Sequence, residues 1–222
     1  MNVNEVYQLI QYIVAKDQNG YVSPDEFNLT INQAQISYMD YLIGQFQEYQ
    51  AGRPIPRVQF GNNETTRQRV TPFIYSSDLT VDAYGFCLYP YGYLQTDTMW
   101  KSNGYDKVKY IQQDYLSSYI NSRIDPIATN PVYLIEREGF RFYPNNIGTA
   151  KVNYIRNPNT IVWGYTLDGN GLAVYNPATS VDPQWSEVDI LEIISRALRM
   201  IGVNLQSGVI AQYANEITKT GQ

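Results

Sequence analysis

The stretch NPVYLIEREGFRFYPNNIGTAKVNYIRNP, residues 130–158, decides the fold class. It holds three β-prone runs, at residues 131–136, 139–144 and 150–158, with turn-forming residues between them. Apolar residues alternate in the last two runs, which is the pattern of a strand with one buried face. The stretch therefore predicts three consecutive strands at the centre of a β region.

Strand signals continue on both sides of this stretch. Upstream, several short β-prone runs lie between residues 73 and 89, and residues 114–122 predict a brief helix between strands. Downstream, two more runs flank the turn sequence DGNG (168–171) and predict a hairpin. The β region is expected to span residues 73–178.

Helical signals occupy the first 49 residues. Apolar residues recur at spacings of three and four from residue 4 to 16 and again from residue 27 to 49, which marks one buried face on each helix. Between these segments, Ser23 and Glu26 have the spacing of a capping box, which marks the start of the second helix. The sequence therefore predicts a helical hairpin over residues 4–49.

The carboxyl-terminal region returns to helix. Ser186 is placed as an N-cap, Asp189 supplies a carboxylate in the first turn, and an apolar stripe runs from Ile190 to Leu205. Helices are predicted over residues 186–217, with the first of them packed against the helical hairpin. The order of helices, then strands, then helix predicts an α+β fold in a single domain.

Residues 51–72 differ from both neighbours. The segment contains three prolines, two glycines and no clear apolar periodicity, which predicts an arm or an irregular loop. It also carries four arginines, Arg53, Arg57, Arg67 and Arg69. Guanidinium groups bind carboxylates and phosphates through two parallel hydrogen bonds, so these arginines are the candidate contact residues towards a neighbouring subunit. The alternatives are contact with a DNA backbone and local pairing with residues such as Glu64.

Composition excludes several kinds of chemistry. The chain has no histidine, which removes imidazole catalysis and histidine-ligated zinc, and its one cysteine, Cys87, cannot form a disulfide within the chain. The net charge of −5 argues against a broad duplex-binding surface, and no apolar run is long enough to cross a membrane. We therefore expect no catalytic residue, no cofactor site and no metal site.

One segment resembles part of a calcium loop. Residues 17–27 place acidic residues and a glycine between two helices, as the later positions of an EF-hand do. Counting back from Gly20 puts Ala15 at the first loop position, where a carboxylate ligand is required. A capped turn between helices is the favoured interpretation, and calcium binding is the alternative.

Four further motifs carry a resemblance over nearly the whole chain. They are KDQNGYVSPDEFN (16–28), FGNNETTRQRVTPF (60–73), LYPYGYL (88–94) and WSEVDILEIISRALRM (185–200). Together with the strands of residues 130–158, this layout resembles the head-to-tail adaptor or ring proteins of short-tailed bacteriophages, and most closely those of the crAss-like phages.

The resemblance implies a non-enzymatic structural protein of the virion. It implies a closed ring of about twelve copies in the neck or upper tail, around the channel through which the genome leaves. The implied partners are other copies of the chain, the portal protein, neighbouring tail rings and the passing DNA, which is not bound sequence-specifically; no membrane contact is implied. The alternative is a glycan-binding or fibre-associated module that uses exposed tyrosines and the tryptophans Trp100 and Trp163.

Overall fold

The computed structural model describes residues 1–18, 20–46, 57–102, 104, 106–120, 122 and 125–202. The chain divides into two compact units. One is the helical unit, formed by Met1–Pro72 and Pro158–Gln222, and the other is the β unit, Phe73–Asn157. The α+β class predicted from the sequence is confirmed. The single domain over residues 1–222 stays a prediction.

The helical unit contains four α-helices and one small hairpin within its described residues. The elements are α1 (Val3–Gln18), α2 (Pro24–Phe46), α3 (Arg57–Val70), β8 (Tyr165–Leu167), β9 (Ala173–Tyr175) and α5 (Glu187–Ile201). Helix α2 packs against α5 and α3, and α1 also packs against α5. The predicted packing of the carboxyl-terminal helix on the helical hairpin is therefore confirmed.

Both predicted helix starts are formed by side-chain caps. At the start of α2, the Ser23 amide donates to Glu26 Oε2 at 2.9 Å and the Glu26 amide donates to Ser23 Oγ at 3.3 Å, which is a reciprocal capping box. The Ser23 amide and the Ser23 hydroxyl both donate to the Glu26 carboxylate, and these two hydrogen bonds lower the pKa of that carboxyl. At the start of α5, the Asp189 amide donates to Ser186 Oγ. Short-range sequence signals thus set both helix boundaries.

Helix α5 is shorter than predicted. It ends at Ile201 because Gly202 adopts a left-handed conformation with φ of 86°, and the Gly202 amide bonds back to carbonyls of the last turn. This αL termination is the ordinary role of a glycine after a helix. The prediction that this helix continues through residue 202 towards Leu205 is therefore wrong. The rest of the predicted helical region, residues 203–217, lies outside the described residues.

The prediction of an arm over residues 51–72 is wrong for most of that segment. Residues 57–70 form α3, followed by a 3-10 turn at Thr71–Phe73. Only two side chains of the described part of α3, Thr66 and Val70, are buried. So sparse an apolar pattern gives no helical periodicity, and contacts with α2 stabilise the helix instead. Residues 51–56 lie outside the described part of the chain.

The described residues of the β unit form two sheets and one short helix. Its elements are β1 (Ile74–Thr80), β2 (Phe86–Leu88), β3 (Tyr93–Lys101), β4 (Lys109–Tyr110), α4 (Gln113–Ile120), β5 (Val132–Ile135), β6 (Gly139–Tyr143) and β7 (Thr149–Arg156). One sheet has the order β1-β7-β3 and is antiparallel. The other has the order β2-β6-β5-β4, in which only β4 and β5 run parallel.

The core of the β unit lies between these sheets. Leu79 of β1, Met99 of β3 and Val152 of β7 join Phe140 and Phe142 of β6 in one buried cluster. A second, smaller cluster lies under α4, where Leu116 and Tyr119 pack against the outer face of the second sheet. The alternation of Phe140 with Phe142, visible in the sequence, therefore marks the inner face of a two-sheet sandwich.

Strand β3 was not predicted from the sequence. Its segment, YLQTDTMWK, follows Pro90 and Gly92 and is mostly polar. Register shifts interrupt its pairing with β7 between Tyr93 and Gln95 and between Thr96 and Thr98, which breaks the alternation expected of a strand. Pairing with the central strand β7, rather than local propensity, makes this segment a strand.

The predicted strand at residues 160–166 is largely an extended segment held by a helix. Asn28 Oδ1 accepts the Trp163 amide at 2.7 Å, and Asn32 Oδ1 accepts the Ile161 amide at 2.9 Å. The side-chain amides of the same two residues donate to the carbonyls of Trp163 and Ile161. Gln35 continues the row by donating to the Asn159 carbonyl. We name Asn28, Asn32 and Gln35 the amide ladder of α2.

The spacing of the amide ladder explains why a helix can substitute for a neighbouring strand. Residues four apart rise about 6 Å along a helix. Alternate residues of an extended chain lie about 6.7 Å apart and point the same peptide edge in one direction. Asn28 and Asn32 therefore match Trp163 and Ile161 and satisfy both peptide groups of each. Only Tyr165–Leu167 pairs as a strand, with β9 across the predicted DGNG turn.

Candidate assembly surfaces

The four candidate arginines are placed differently by the fold. Arg53 lies outside the described residues, and Arg57 is the first residue of α3. Arg67 and Arg69 lie in the last turn of α3, and both are exposed. Residues two apart in the sequence are separated by about 200° around the helix axis, so Arg67 and Arg69 point to different faces of α3. Arg67 therefore remains a surface residue of α3, whereas Arg69 turns towards the interior of the helical unit.

Arg69 belongs to a network around a buried carboxylate. Asp189 of α5 is 2% exposed, and its Oδ1 lies 3.7 Å from Arg69 Nε. The Tyr38 hydroxyl donates to Asp189 Oδ1 at 2.7 Å, Ser186 Oγ donates to Asp189 Oδ2 at 2.6 Å, and Arg69 Nη1 donates to the Tyr38 hydroxyl. A buried carboxylate requires this kind of compensation. Arg69 therefore makes an ion pair within the chain, but its partner is Asp189, which is distant in the sequence, rather than a nearby residue such as Glu64.

The same network changes the ionisation of Tyr38. Burial and the neighbouring Asp189 raise the pKa of the Tyr38 hydroxyl to about 12. Arg196 stacks its guanidinium over the Tyr38 ring at 5.3 Å and over the Tyr41 ring at 5.1 Å. Tyr38 thus stays a neutral donor to Asp189 at physiological pH, and this cluster joins α2, α3 and α5.

Large apolar and aromatic side chains remain exposed on both units. On the helical unit they are Tyr12, Tyr21, Leu29, Ile36, Tyr41, Leu167, Leu172, Val174, Val181, Val188, Leu191 and Met200. On the β unit they are Tyr75, Tyr84, Leu88, Tyr91, Tyr110, Tyr115, Ile120, Ile127 and Ile135. Exposed tyrosine is typical of protein interfaces because its ring provides apolar area while its hydroxyl tolerates water.

The tyrosine-rich motif LYPYGYL is divided between core and surface. Tyr89 and Tyr93 stack in parallel at 4.5 Å and pack edge-on against Phe140. Tyr91 between them is 84% exposed, and Arg156 lies over its ring at 5.2 Å. Half of this motif therefore supports the sandwich, and Tyr91 is the part that can reach a partner.

Trp163 does not fit the alternative of a glycan-binding surface, because its side chain is buried. Its side chain is 4% exposed, packs on Tyr7 with ring centroids 4.2 Å apart, and donates Nε1–H to Asn4 Oδ1. A ring buried in this way has no face to offer a sugar. Trp100 in β3 is half-buried.

Strand β1 presents an open edge that the sequence analysis did not single out. Just after the end of β1, the Val81 amide donates to the Gly148 carbonyl. Because peptide groups alternate in direction along a strand, the peptide groups of the odd-numbered residues of β1 point towards β7. The peptide groups of Ser76, Asp78 and Thr80 therefore point away from β7. Within the described residues, no strand pairs with this side of β1. The polar run SSD (76–78) inside a strand was the available signal.

A groove lies along this open edge, between β1 and β2. It has a volume of about 590 Å³, and its apolar lining includes Leu79, Phe86 and Leu88. The carboxyl-bearing residues Asp78 and Asp82 also line it. Asp82 Oδ1 accepts the amides of Tyr84 and Phe86 and so fixes the turn between the strands, whereas Asp78 has no ion pair with another described residue.

Cys87 lines the same groove but is a core residue. Its side chain is buried, and burial raises the pKa of the thiol to about 11. A thiol of this kind stays protonated near neutral pH and packs as a small apolar side chain.

The described residues show two further features that bear on ligands and membranes. No three acidic or cysteine side chains among them come together as metal ligands. The turn that resembles a calcium loop includes Asp17 and Gln18, whose side chains, like residue 19, lie outside what is described. Nor does any helix in the described ranges have the length and apolar content needed to span a bilayer.

Comparison with known proteins adds no relative to these observations. Neither a protein-family model nor a curated protein sequence matches the chain.

Proposed function

We propose that the chain is a non-enzymatic structural subunit of a bacteriophage particle. In this proposal it forms a ring in the head-to-tail connector or upper tail, around the channel for the genome and next to the portal protein or another tail ring. Two compact units would each contribute a face to the contacts between copies. The sequence layout described above suggests the phage setting, and the surface of the protein supports an assembly role.

The observation that carries the proposal is the exposed tyrosine and aliphatic surface. Leu29 on α2 is 71% exposed and Tyr84 in the β unit is 79% exposed, and both units bear further large side chains of this kind. Apolar side chains on a chain with only 17% charged residues favour burial against other proteins. A ring subunit buries two different faces, one against each neighbour, and so accounts for exposed apolar residues on both units.

The direct test is a reconstruction of purified particles of the phage that encodes the chain. We expect the two units to fit density for a closed ring below the portal, and mass spectrometry of the same particles to detect the chain. Absence from purified particles, or turnover of a substrate by the isolated protein, would contradict the proposal.

The arginines of α3 provide a second test, and the structure changes its design. Arg69 supports buried Asp189, so its replacement tests folding rather than assembly. Arg67→Glu is the suitable variant, with Lys16→Glu on α1 as a matched exposed charge reversal. If α3 contacts a neighbour, Arg67→Glu lowers incorporation into particles while Lys16→Glu does not. Equal incorporation of both variants would remove α3 from the interface.

The alternative function, a glycan-binding or fibre-associated module, is favoured by one observation. Tyr91 projects from the turn before β3, with Arg156 against its ring. Sugars stack on aromatic faces of this kind. Binding to an array of bacterial polysaccharides that is lost in Tyr91→Ala would support this alternative.

A further inference from the structure

The hairpin of β8 and β9 presents an asparagine followed by a glycine at its tip. The loop is DGNG (168–171), and Asn170 and Gly171 are both exposed. Asn170 donates its backbone amide to Asp168 Oδ1 at 2.9 Å, but its side-chain carboxamide bonds to no other described residue. Gly171 has a φ of 78°, and beyond its chain neighbours no atom lies within 4 Å of the position that a Cβ would occupy. The carboxamide and the following nitrogen are therefore accessible to water.

We propose that Asn170 is a site of spontaneous deamidation through a cyclic imide. The backbone nitrogen of Gly171 gives up its proton and bonds to Cγ of Asn170. The C–N bond of the carboxamide breaks, and its nitrogen leaves as ammonia with that proton. Water then adds to either carbonyl carbon of the imide and opens the ring, which leaves aspartate or isoaspartate at position 170. The reaction consumes only water and does not depend on the assembly function proposed above.

The glycine after Asn170 makes the ring closure accessible. A side chain on the following residue would shield the attacking nitrogen, and glycine has none. Glycine also adopts backbone conformations that other residues rarely reach, which helps its nitrogen to approach Cγ of the asparagine. The open space around Gly171 leaves room for this approach.

Hydrogen bonds in the turn slow the reaction in the folded protein without preventing it. The Gly171 amide donates to the Asp168 carbonyl at 3.0 Å, and this bond must open before the nitrogen attacks. β8 and β9 have three residues each, and so short a hairpin opens locally at low cost. With one such hydrogen bond to break, the folded protein should react about fivefold more slowly than the chain in urea.

Other described asparagines lack the conditions that favour ring closure. Asn32 lies in α2, and its carboxamide is held by the Ile161 amide and carbonyl. Asn157 and Asn176 precede prolines, whose nitrogen has no proton to give up. Asn170 is the one asparagine within the described ranges that a glycine follows. The reaction should therefore be selective for Asn170 over these other positions.

Both products disturb the turn. Each places a second carboxylate near that of Asp168, whose Oδ1 already accepts the amides of Asn170 and Leu172. Like charges at this distance repel each other. Isoaspartate also adds a methylene to the backbone of the loop. The modification therefore weakens the pairing of β8 with β9.

Incubation of the full-length protein in H₂¹⁸O at mildly alkaline pH tests the site. Each deamidation event introduces a heavy oxygen, which distinguishes it from deamidation before the incubation. A protease that cleaves on the amino side of aspartate releases the peptide 168–181, which contains Asn170 and, as an internal control, Asn176. Fragmentation in the mass spectrometer locates the label, and an isoaspartate methyltransferase detects the isoaspartate product. We expect label at Asn170 and none at Asn176.

Matched alanine substitutions in the loop give the decisive comparison. Gly171→Ala should lower the rate several-fold, since the added Cβ shields the attacking nitrogen. Gly169→Ala is the control, because its Cβ also meets open space, and it should react at close to the wild-type rate. The two variants should keep this order in urea, where a difference in folding cannot explain it.

Three outcomes would overturn the proposal. They are the absence of label from Asn170 in the folded protein, label at Asn170 no higher than at Asn176, and equal rates in Gly171→Ala and Gly169→Ala. Asn19 and Asn103 also precede glycines, but they lie outside the described residues and in other peptides, so they do not affect this measurement. Absence of the chain from particles would contradict the assembly function and leave the deamidation site intact.

Discussion

Replacing Asn32 by alanine should destabilise the protein by about 2 kcal/mol, although Asn32 lies in a helix, where alanine is favoured. The Asn32 side chain accepts the Ile161 amide at 2.9 Å and donates to the Ile161 carbonyl at 2.7 Å. Ile161 itself is 2% exposed. The substitution therefore removes both hydrogen bonds of the Ile161 backbone, next to a buried side chain.

The magnitude follows from two opposing contributions. Each intramolecular hydrogen bond contributes about 1 kcal/mol net, and an unsatisfied buried partner costs more, so the two together contribute about 2–3 kcal/mol. Alanine regains about 0.6 kcal/mol of helix propensity over asparagine. The net loss is about 2 kcal/mol, which for a chain of this length lowers Tm by roughly 4–8 °C.

Urea denaturation followed by tryptophan fluorescence measures this loss. Trp163 and Trp185 are both buried in the helical unit and report on its unfolding. Gln33→Ala, on the exposed side of the same helix, is the matched control and should change the free energy of unfolding by less than about 0.5 kcal/mol. Asn32→Asp keeps the acceptor but loses the donor, and should be at least as destabilising as Asn32→Ala. Equal stabilities of Asn32→Ala and Gln33→Ala would refute the amide ladder as a stabilising element.

Three further predictions concern buried polar groups. Arg69→Met should destabilise the protein more than Arg67→Met in urea denaturation, because only Arg69 compensates the buried carboxylate of Asp189; equal losses would contradict this role. Because burial raises the pKa of the Tyr133 hydroxyl to about 12 from about 10 in the unfolded chain, the folded state retains a proton that the unfolded state releases. The contribution of Tyr133 to the free energy of unfolding should therefore be constant below pH 10 and be lost between pH 10 and 12, so stability should fall less over this range in Tyr133→Phe than in the wild type; an equal fall in the two proteins would contradict this role. The Cys87 thiol, buried and with its pKa raised, should react with a thiol-specific disulfide reagent many times more slowly in the folded protein than in urea, and equal rates would show that the groove exposes the sulfur.

The local elements with strong sequence signals were predicted well. The capping box at Ser23 and Glu26 and the N-cap at Ser186 depend on residues within one turn of each other, so the sequence alone determines them. The same holds for the turn DGNG and for the alternation of Phe140 and Phe142. Each of these features is a short-range pattern with a direct steric or hydrogen-bonding cause.

The candidate surfaces were predicted only in part. Four arginines in one segment were visible in the sequence, but only the fold shows that Arg69 reaches a carboxylate 120 residues away along the chain. The open β1 edge could not be predicted either, because whether a strand is central or at an edge depends on which strands pair with it.

The sequence by itself determined where α2 and α5 begin and that the chain combines helices with antiparallel strands. Only the tertiary structure decided that residues 57–70 are helical, that β3 is a strand and that the segment at Asn159–Trp163 bonds to α2 along one edge, with a β-bridge from Val162 to Val181. The physical reason is the same in all three cases. These segments lack the local apolar period that would specify their conformation, and hydrogen bonds or packing with residues distant in the sequence specify it instead.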